Sequence, residues 1–361
     1  MLKGKGWEGM KKIEKRKADH IQVTMDQNVC PEHNHWNDVK LIHDSLPELD
    51  LEEVDTKTVL FGKRLDMPLV VTAITGGFKQ AEKINRNLAE ACAEMRIGLG
   101  IGSQRAGIEH GDDGSYSVLK DYDVPLRIGN VGAPQLISQQ RKRPFTMDQV
   151  RKARDMVDAD VMAVHLNYLQ EVAQPEGDTK AKGCMAKIRD LAKEMPTMVK
   201  ETGAGISRET AQRLKGTGII GMDVSGVSGT SFAAVEMYRA REMDEKRCAA
   251  IGQTFLDWGI PAPAALLEAN VGLPMIASGG MLNGLHVACG LALGASSAGM
   301  ARAVLPAALE SPQAVMDRLA LVRDELRVTM FLTGSKDVKA LSKKGYVLTG
   351  RTDEWVRQRS V

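Results

Sequence analysis

The sequence predicts an α/β chain that closes as a (β/α)8 (TIM) barrel, with an N-terminal extension, an insertion after the sixth strand and a C-terminal helical tail. Three observations predict it. Eight short, β-rich apolar runs recur along the chain, separated by polar stretches with helical character, the pattern of repeated βα units. Most runs end in glycine or in small polar and ionisable residues, as in barrels that keep their working groups at the C-terminal ends of the strands. A length of 361 residues then holds one barrel of about 250 residues with extensions at both ends. A doubly wound open sheet is the alternative that the same alternation allows.

Composition narrows the class of function. With 43% hydrophobic and 26% charged residues the chain has ample material for a core, and 48 basic against 46 acidic residues leave a net charge of only +2. So small a net charge argues against nucleic acid or an anionic membrane as partner, and any anionic ligand must meet a local cluster. Cysteines at 30, 92, 184, 248 and 289 are odd in number and form no CxxC pair, which fits reduced thiols. Residues 1–20 carry charge throughout and lack the apolar core of a secretory signal, so a cytoplasmic protein is expected. The most apolar window, 285–309, is broken by His286, Gly290, Gly294 and Arg302 and falls short of a membrane span.

Taken in order, residues 1–65 form the extension, in which ArgLysAlaAspHis at 16–20 is a compact cationic cluster and His33 and His35 add two imidazoles. The strand candidates are 69–72, 98–101, 126–131, 161–166, 197–200, 219–224, 275–277 and 295–299. Their starts lie about 20 to 36 residues apart, except for about 56 residues before Met275, which places the insertion after the sixth strand. The charged start of that insertion, around 235–265, reads as a solvated helix that could act as a lid. The barrel spans 66–310, and the tail from 311 reads as a helix over 315–329 followed by glycine-punctuated segments that pack on the barrel.

Four strand ends carry chemistry. At 165–171, HisLeuAsnTyrLeuGlnGlu is followed by GlnProGluGlyAsp, and Glu171 there offers an oxygen ligand suited to Mg2+ shared with a substrate phosphate. The other reading of Glu171 is an acid favoured by a helix N-terminus. Lys200 ends the fifth run in ValLysGluThrGly, where a buried ammonium needs an anionic partner: a substrate carbonyl as a Schiff base, an anionic cofactor ring, or the adjacent Glu201. SerGlyGlyMet at 278–281 and GlyMetAlaArg at 299–302 follow the seventh and eighth runs, where these barrels bind phosphate through backbone N–H groups.

Together with ThrAlaIleThrGlyGly at 72–77, GlySerGlnArg at 102–105, AsnValGlyAla at 130–133 and AspValSerGly at 223–226, these motifs resemble, in order from residue 16 onward, the type 2 isopentenyl-diphosphate isomerases. The resemblance implies an FMN-binding, Mg2+-dependent barrel, assembled as a homotetramer or homo-octamer, that interconverts isopentenyl and dimethylallyl diphosphate. It places FMN on Ala73, Ile74, Thr75, Ser103, Asn130, Lys200, Ser225, Thr230, Gly279, Gly280, Met281, Ala301 and Arg302. The diphosphate substrate falls to Arg16, Lys17, His20, Ser103, Arg105, His165, Asn167 and Gln170, with Glu171 on the metal. Gln170, Lys200 and His165 are the catalytic candidates: Lys200 beside an anionic flavin ring, Gln170 nearest the reacting carbons, His165 serving the diphosphate. Reduced FMN would act as acid/base, primed by NADPH without net redox change. Ile74, Tyr168 and Ser228 depart from the family's usual Met, Pro and Gly without removing a functional group.

The rival reading is an FMN-dependent hydroxy-acid dehydrogenase or oxidase. It needs a histidine base beside an arginine late in the barrel. The only histidine between 225 and 302 is His286, which falls inside the helix expected after the glycine pair. A non-catalytic flavin-binding barrel is disfavoured by the density of ionisable groups at 165–171.

Overall fold

Runs that are apolar on both faces can only be strands covered on both sides, and in the computed structural model all eight become parallel barrel strands. The structure describes residues 12–111, 113–140 and 142–361; residues 1–11, part of the expected extension, lie outside them. The strands are β1 (Leu69–Val71), β2 (Gly98–Gly100), β3 (Leu126–Gly132), β4 (Val161–Leu166), β5 (Thr197–Glu201), β6 (Gly221–Asp223), β7 (Met275–Ala277) and β8 (Ser297–Met300). They pair in chain order, and β8 closes on β1 through Ala298 opposite Leu69 and Met300 opposite Val71.

The barrel interior is a packed core. Val70, Leu126, Ile128, Val161, Ala163, Met198 and Ile276 meet inside it, together with Leu60 and Leu65. These two leucines come from the antiparallel hairpin Thr58–Leu60 with Lys63–Leu65, which plugs the N-terminal end and leaves the C-terminal end as the open mouth. The larger core lies between the strands and the surrounding helices.

Both extensions serve the barrel. The N-terminal helix Lys12–Asp26 buries Val23 against Ala234 and Val235 of the helix Phe232–Glu242, which opens the insertion after β6. Ser311 caps the tail helix Pro312–Phe331, whose buried stripe of Val315, Leu319, Val322, Leu326 and Met330 follows helical spacing. Tyr346–Leu348 then pairs antiparallel with Val39–Leu41, stitching the tail to the extension. No helix among the described residues is long and apolar enough to cross a membrane.

Candidate active site at the barrel mouth

The C-terminal ends of the strands surround a cavity of about 410 Å³, and every site candidate named from the sequence lines it. The cavity has two poles of different construction. One is made of backbone at β7 and β8, the other of charged side chains from the N-terminal helix and the loops after β2, β4 and β6.

At the first pole, Gly279 and Gly280 take the left-handed conformation, with φ of +76° and +84°. A Cβ on Gly280 would lie 2.6 Å from Ser228, so the loop tolerates no side chain there. Trp36 Nε1 and Asn34 Nδ2 donate to the carbonyls of Gly279 and Gly280, each at 2.8 Å. The N–H groups of Gly279, Gly280 and Met281 find no acceptor among the hydrogen bonds of the described residues, and Arg302 stands beside them on the cavity wall. Unclaimed amides and a guanidinium are what a terminal phosphate needs.

Lys200 occupies the end of β5. Its ammonium donates to the carbonyl of Glu201 at 3.0 Å and lies 3.7 Å from Asp223 Oδ2. Asp223 is the anionic partner, buried at the end of β6 with Ser278 donating to its other oxygen. Burial pushes the Asp223 carboxyl up and Lys200 opposes this. The Glu201 salt bridge considered from the sequence is therefore not formed, because that carboxylate accepts the N–H groups of Gly203, Ala204 and Gly205 at 2.6 to 2.7 Å. What remains is a cation at the barrel mouth with one distant counter-ion.

The charged pole is densely connected. Arg105 is buried and bonds Glu109 and Asp178, each at 2.9 Å; Lys142 grips Asp178 at 2.7 Å. Lys17 donates to the carbonyl of Ser103 at 2.6 Å and to the Tyr116 hydroxyl at 2.9 Å; burial holds its pKa well below that of an ordinary lysine, with Arg16 and Arg105 adding to the effect. The Nε of Arg16 is buried without a partner. Glu171, on the short helix Tyr168–Ala173, accepts from Asn167 Nδ2 at 2.9 Å, from the Asp178 N–H at 2.7 Å and from Gln174. Burial raises the Glu171 pKa despite these donors. Oδ1 of Asn167 and Oε1 of Gln174 are buried and unpaired, so three oxygen donors cluster here.

His165 Nδ1 is 2.8 Å from Asn130 Oδ1, and since the Asn130 amide donates to Ile101 O, the imidazole donates to Asn130 through Nδ1. Burial first, then Lys200, Lys17, Arg105 and Arg16, push its pKa down to about 3. It is a neutral ring at working pH.

The insertion supplies what the sequence reading missed. Its first helix is not solvated: Glu236 and Arg239 are 0% and 4% exposed. Glu236 Oε1 accepts from Gln170 Nε2 at 2.9 Å and lies 2.8 Å from His20 Nε2, while Arg239 holds its other oxygen. Burial alone would raise the Glu236 pKa, but His20, Arg239 and Gln170 bring it down to about 2. Arg239 also reaches Glu176 and Asp19, at 3.3 and 3.6 Å, so three segments meet on one buried charge network. The only sequence hint was Ala233, Ala234 and Ala240 around the charges, small residues that let a helix approach closely.

The residues fit both groups that the sequence resemblance implies. Free amides, Arg302 and an ammonium at the opposite strand end suit a phosphorylated anionic ring, and an all-oxygen donor set around Glu171 suits a hard cation. Comparison with known proteins agrees with the architecture. Residues 120–348 match the FMN-dependent dehydrogenase family. The chain is 42% identical over 345 residues to the isopentenyl-diphosphate delta-isomerase of Thermoplasma acidophilum, covering 95% of this chain and 99% of that one. It is 41% identical over 354 residues to the enzyme of the same name from Halobacterium salinarum, covering 96% and 97%. The chain belongs to the isopentenyl-diphosphate delta-isomerase and FMN-dependent dehydrogenase families. Among solved structures, a mandelate oxidase bound to (S)-2-phenylpropionate superposes with a TM-score of 0.60 at 20% identity over 92% of this chain and 98% of that one, a likeness of fold. His286, the late-barrel histidine considered for the hydroxy-acid reading, lies in the helix Gly284–Ala292 with its Nε2 3.1 Å from Asn37 Oδ1, and it does not line the cavity.

Proposed function

We propose that this chain is an isopentenyl-diphosphate delta-isomerase that interconverts isopentenyl and dimethylallyl diphosphate, with FMN at the glycine pole and the Mg2+-bound diphosphate at the charged pole. The observation that carries the reading is the two-poled cavity. A hydroxy-acid oxidoreductase needs one phosphate site and a small carboxylate clamp with a histidine base, whereas this mouth has a second cationic wall and no such histidine.

The residues divide the work. The amides of Gly279, Gly280 and Met281, with Ala301 and Arg302, would hold the FMN phosphate. Ala73, Ile74, Thr75, Ser103, Asn130, Ser225 and Thr230 would frame the ring, with Lys200 beside its anionic edge. Arg16, Lys17, His20 and Arg105 would bind the diphosphate, with Glu171 on Mg2+ and with Asn167 and neutral His165 as hydrogen-bonding groups; the extension over 1–65 is thus part of the substrate site. Gln170 is fixed in orientation because its amide nitrogen is committed to Glu236, which leaves its oxygen toward Asn167 and the cavity. Reduced FMN, when bound, supplies the acid/base group for moving the double bond, and NADPH serves as its reductant. Assembly as a homotetramer or homo-octamer and a cytoplasmic location belong to the same reading.

The test is anaerobic incubation with FMN, Mg2+, NADPH and isopentenyl diphosphate, with lactate and mandelate in parallel. Dimethylallyl diphosphate should form, and neither hydroxy acid should reduce the flavin. Flavin reduction by a hydroxy acid with no diphosphate product would overturn the reading.

A further inference from the structure

Outside the barrel mouth, the strap that joins the N-terminal helix to the strand Val39–Leu41 carries a second group of chemistry-bearing side chains. His33, His35 and Asp38 each present a donor atom, and the three atoms lie within 4.8 Å of one another. His33 Nε2 is 2.7 Å from Asp38 Oδ1, and His35 Nδ1 is 3.0 Å from Asp38 Oδ2. The two rings stand edge to face, with centroids 4.9 Å apart and planes at 81°, so both turn a nitrogen toward one carboxylate. Asp38 and His35 are buried, whereas His33 is open to solvent. None of the three lines the large cavity.

We propose that His33, His35 and Asp38 form a binding site for a borderline divalent transition ion of the zinc class, separate from the oxygen-donor position at Glu171. The ligand set selects the ion, because two imidazoles and a carboxylate suit zinc, whereas Mg2+ and Ca2+ take oxygen ligands. Separations of 2.7 and 3.0 Å are hydrogen-bond distances, several tenths of an ångström inside the roughly 3.4 Å edge of a tetrahedral site with bonds of about 2.0 to 2.2 Å, so the rings move slightly outward when an ion enters. An ion enters by replacing the protons now shared between each ring and Asp38, which pass to the other ring nitrogens or to solvent. Water completes the coordination on the open side at His33. An outer contact is already in place: Thr352 of the terminal helix donates to Asp38 Oδ2 at 2.7 Å, fixing the carboxylate as such partners do in metal sites.

The position gives the site a consequence. Asn34 and Trp36, which alternate with the two histidines, are the residues that hold the carbonyls of Gly280 and Gly279, and the His35 N–H donates to Ser228 Oγ at 3.1 Å. An ion there ties the strap, the terminal helix and the glycine pole into one unit.

The experiment uses the full chain, stripped with a chelator and dialysed, and titrated calorimetrically with zinc chloride in buffer containing Mg2+ but no flavin. One zinc per chain should bind. His33→Ala, a change at an exposed ring, should weaken binding at least about tenfold. Absence of zinc binding, or equal affinity in wild type and His33→Ala with both chains folded by circular dichroism, would overturn the site. Because no flavin or diphosphate is present, that failure is distinct from failure of the proposed isomerase activity.

Discussion

The two poles of the barrel mouth do related jobs with different materials. The glycine pole offers main-chain amides, and the strap holds that loop through the carbonyls of Gly279 and Gly280, not through their amides. The charged pole offers side chains from segments as far apart as His20 and Glu236, and each group there depends on another: Arg105 on Asp178, Gln170 on Glu236, Glu236 on Arg239. A backbone site is fixed once the fold forms, whereas a side-chain site holds its geometry only while its network is complete. Damage at the glycine pole should therefore appear as lost cofactor, and damage at the charged pole as lost turnover or substrate affinity with the cofactor retained.

The strongest break in that division is expected at Glu236. Glu236→Gln leaves Gln170 without an anionic anchor and Arg239 short of its closest counter-charge, so turnover should fall by roughly 10²- to 10⁴-fold with FMN still bound. Unchanged turnover would show that the buried carboxylate serves packing alone. Gly280→Val puts a branched side chain at a left-handed position 2.6 Å from Ser228 and should weaken FMN binding on the order of 100-fold, measured by flavin fluorescence on dilution. Retention of flavin at wild-type affinity would remove the glycine pole from the account.

A smaller effect sharpens the charged pole from within. Asp178 holds Arg105 and Lys142 by its carboxylate and Glu171 by its N–H, so Asp178→Asn should raise KM for the diphosphate about tenfold while changing kcat less. A pure kcat loss would mean that Asp178 does not position the diphosphate clamp. Smallest is the acid sensitivity of folding contributed by His165. Its ring stays neutral in the fold down to about pH 3, while the unfolded chain takes a proton near pH 6.5. Its contribution to stability is thus intact above pH 6.5 and falls by up to about 1.4 kcal/mol per pH unit as pH drops below that. His165→Asn should flatten the fall in denaturation midpoint between pH 6.5 and 5, and an equally steep fall would show that other groups set it.

The same contrast explains what could be read from the sequence. All eight strands were legible because barrel strands buried on both faces leave continuous apolar runs, and the glycine pole because its position after β7 and β8 is a property of the fold. The charged pole was legible where residues stand at or just after strand ends, as Lys200, His165 and Glu171 do, and in the cationic run at 16–20 that the family resemblance assigned to the substrate. Glu236 and Asp223 were missed for opposite reasons. Glu236 sits in a run of charges that looks like any solvated helix, and only the packing of that helix under the N-terminal one buries it. Asp223 ends its strand in plain view, yet its distance from Lys200 is set by β5 and β6 lying side by side, with Lys200 opposite Asp223 in register. Likewise, Glu201 was one of three partners open to Lys200 from the sequence, but adjacent residues on a strand point to opposite faces.

On the proposed function, a barrel shared with flavin oxidoreductases would run a reaction without net electron transfer, because its second pole would bind a diphosphate in place of a carboxylate to be oxidised. The most direct measurement is the ratio of dimethylallyl diphosphate formed to NADPH consumed under anaerobic conditions, with FMN at one equivalent per chain. Product should form far in excess of NADPH consumed, with consumption ending once the flavin is reduced. One NADPH consumed for each product molecule would contradict it and make the reaction a redox one.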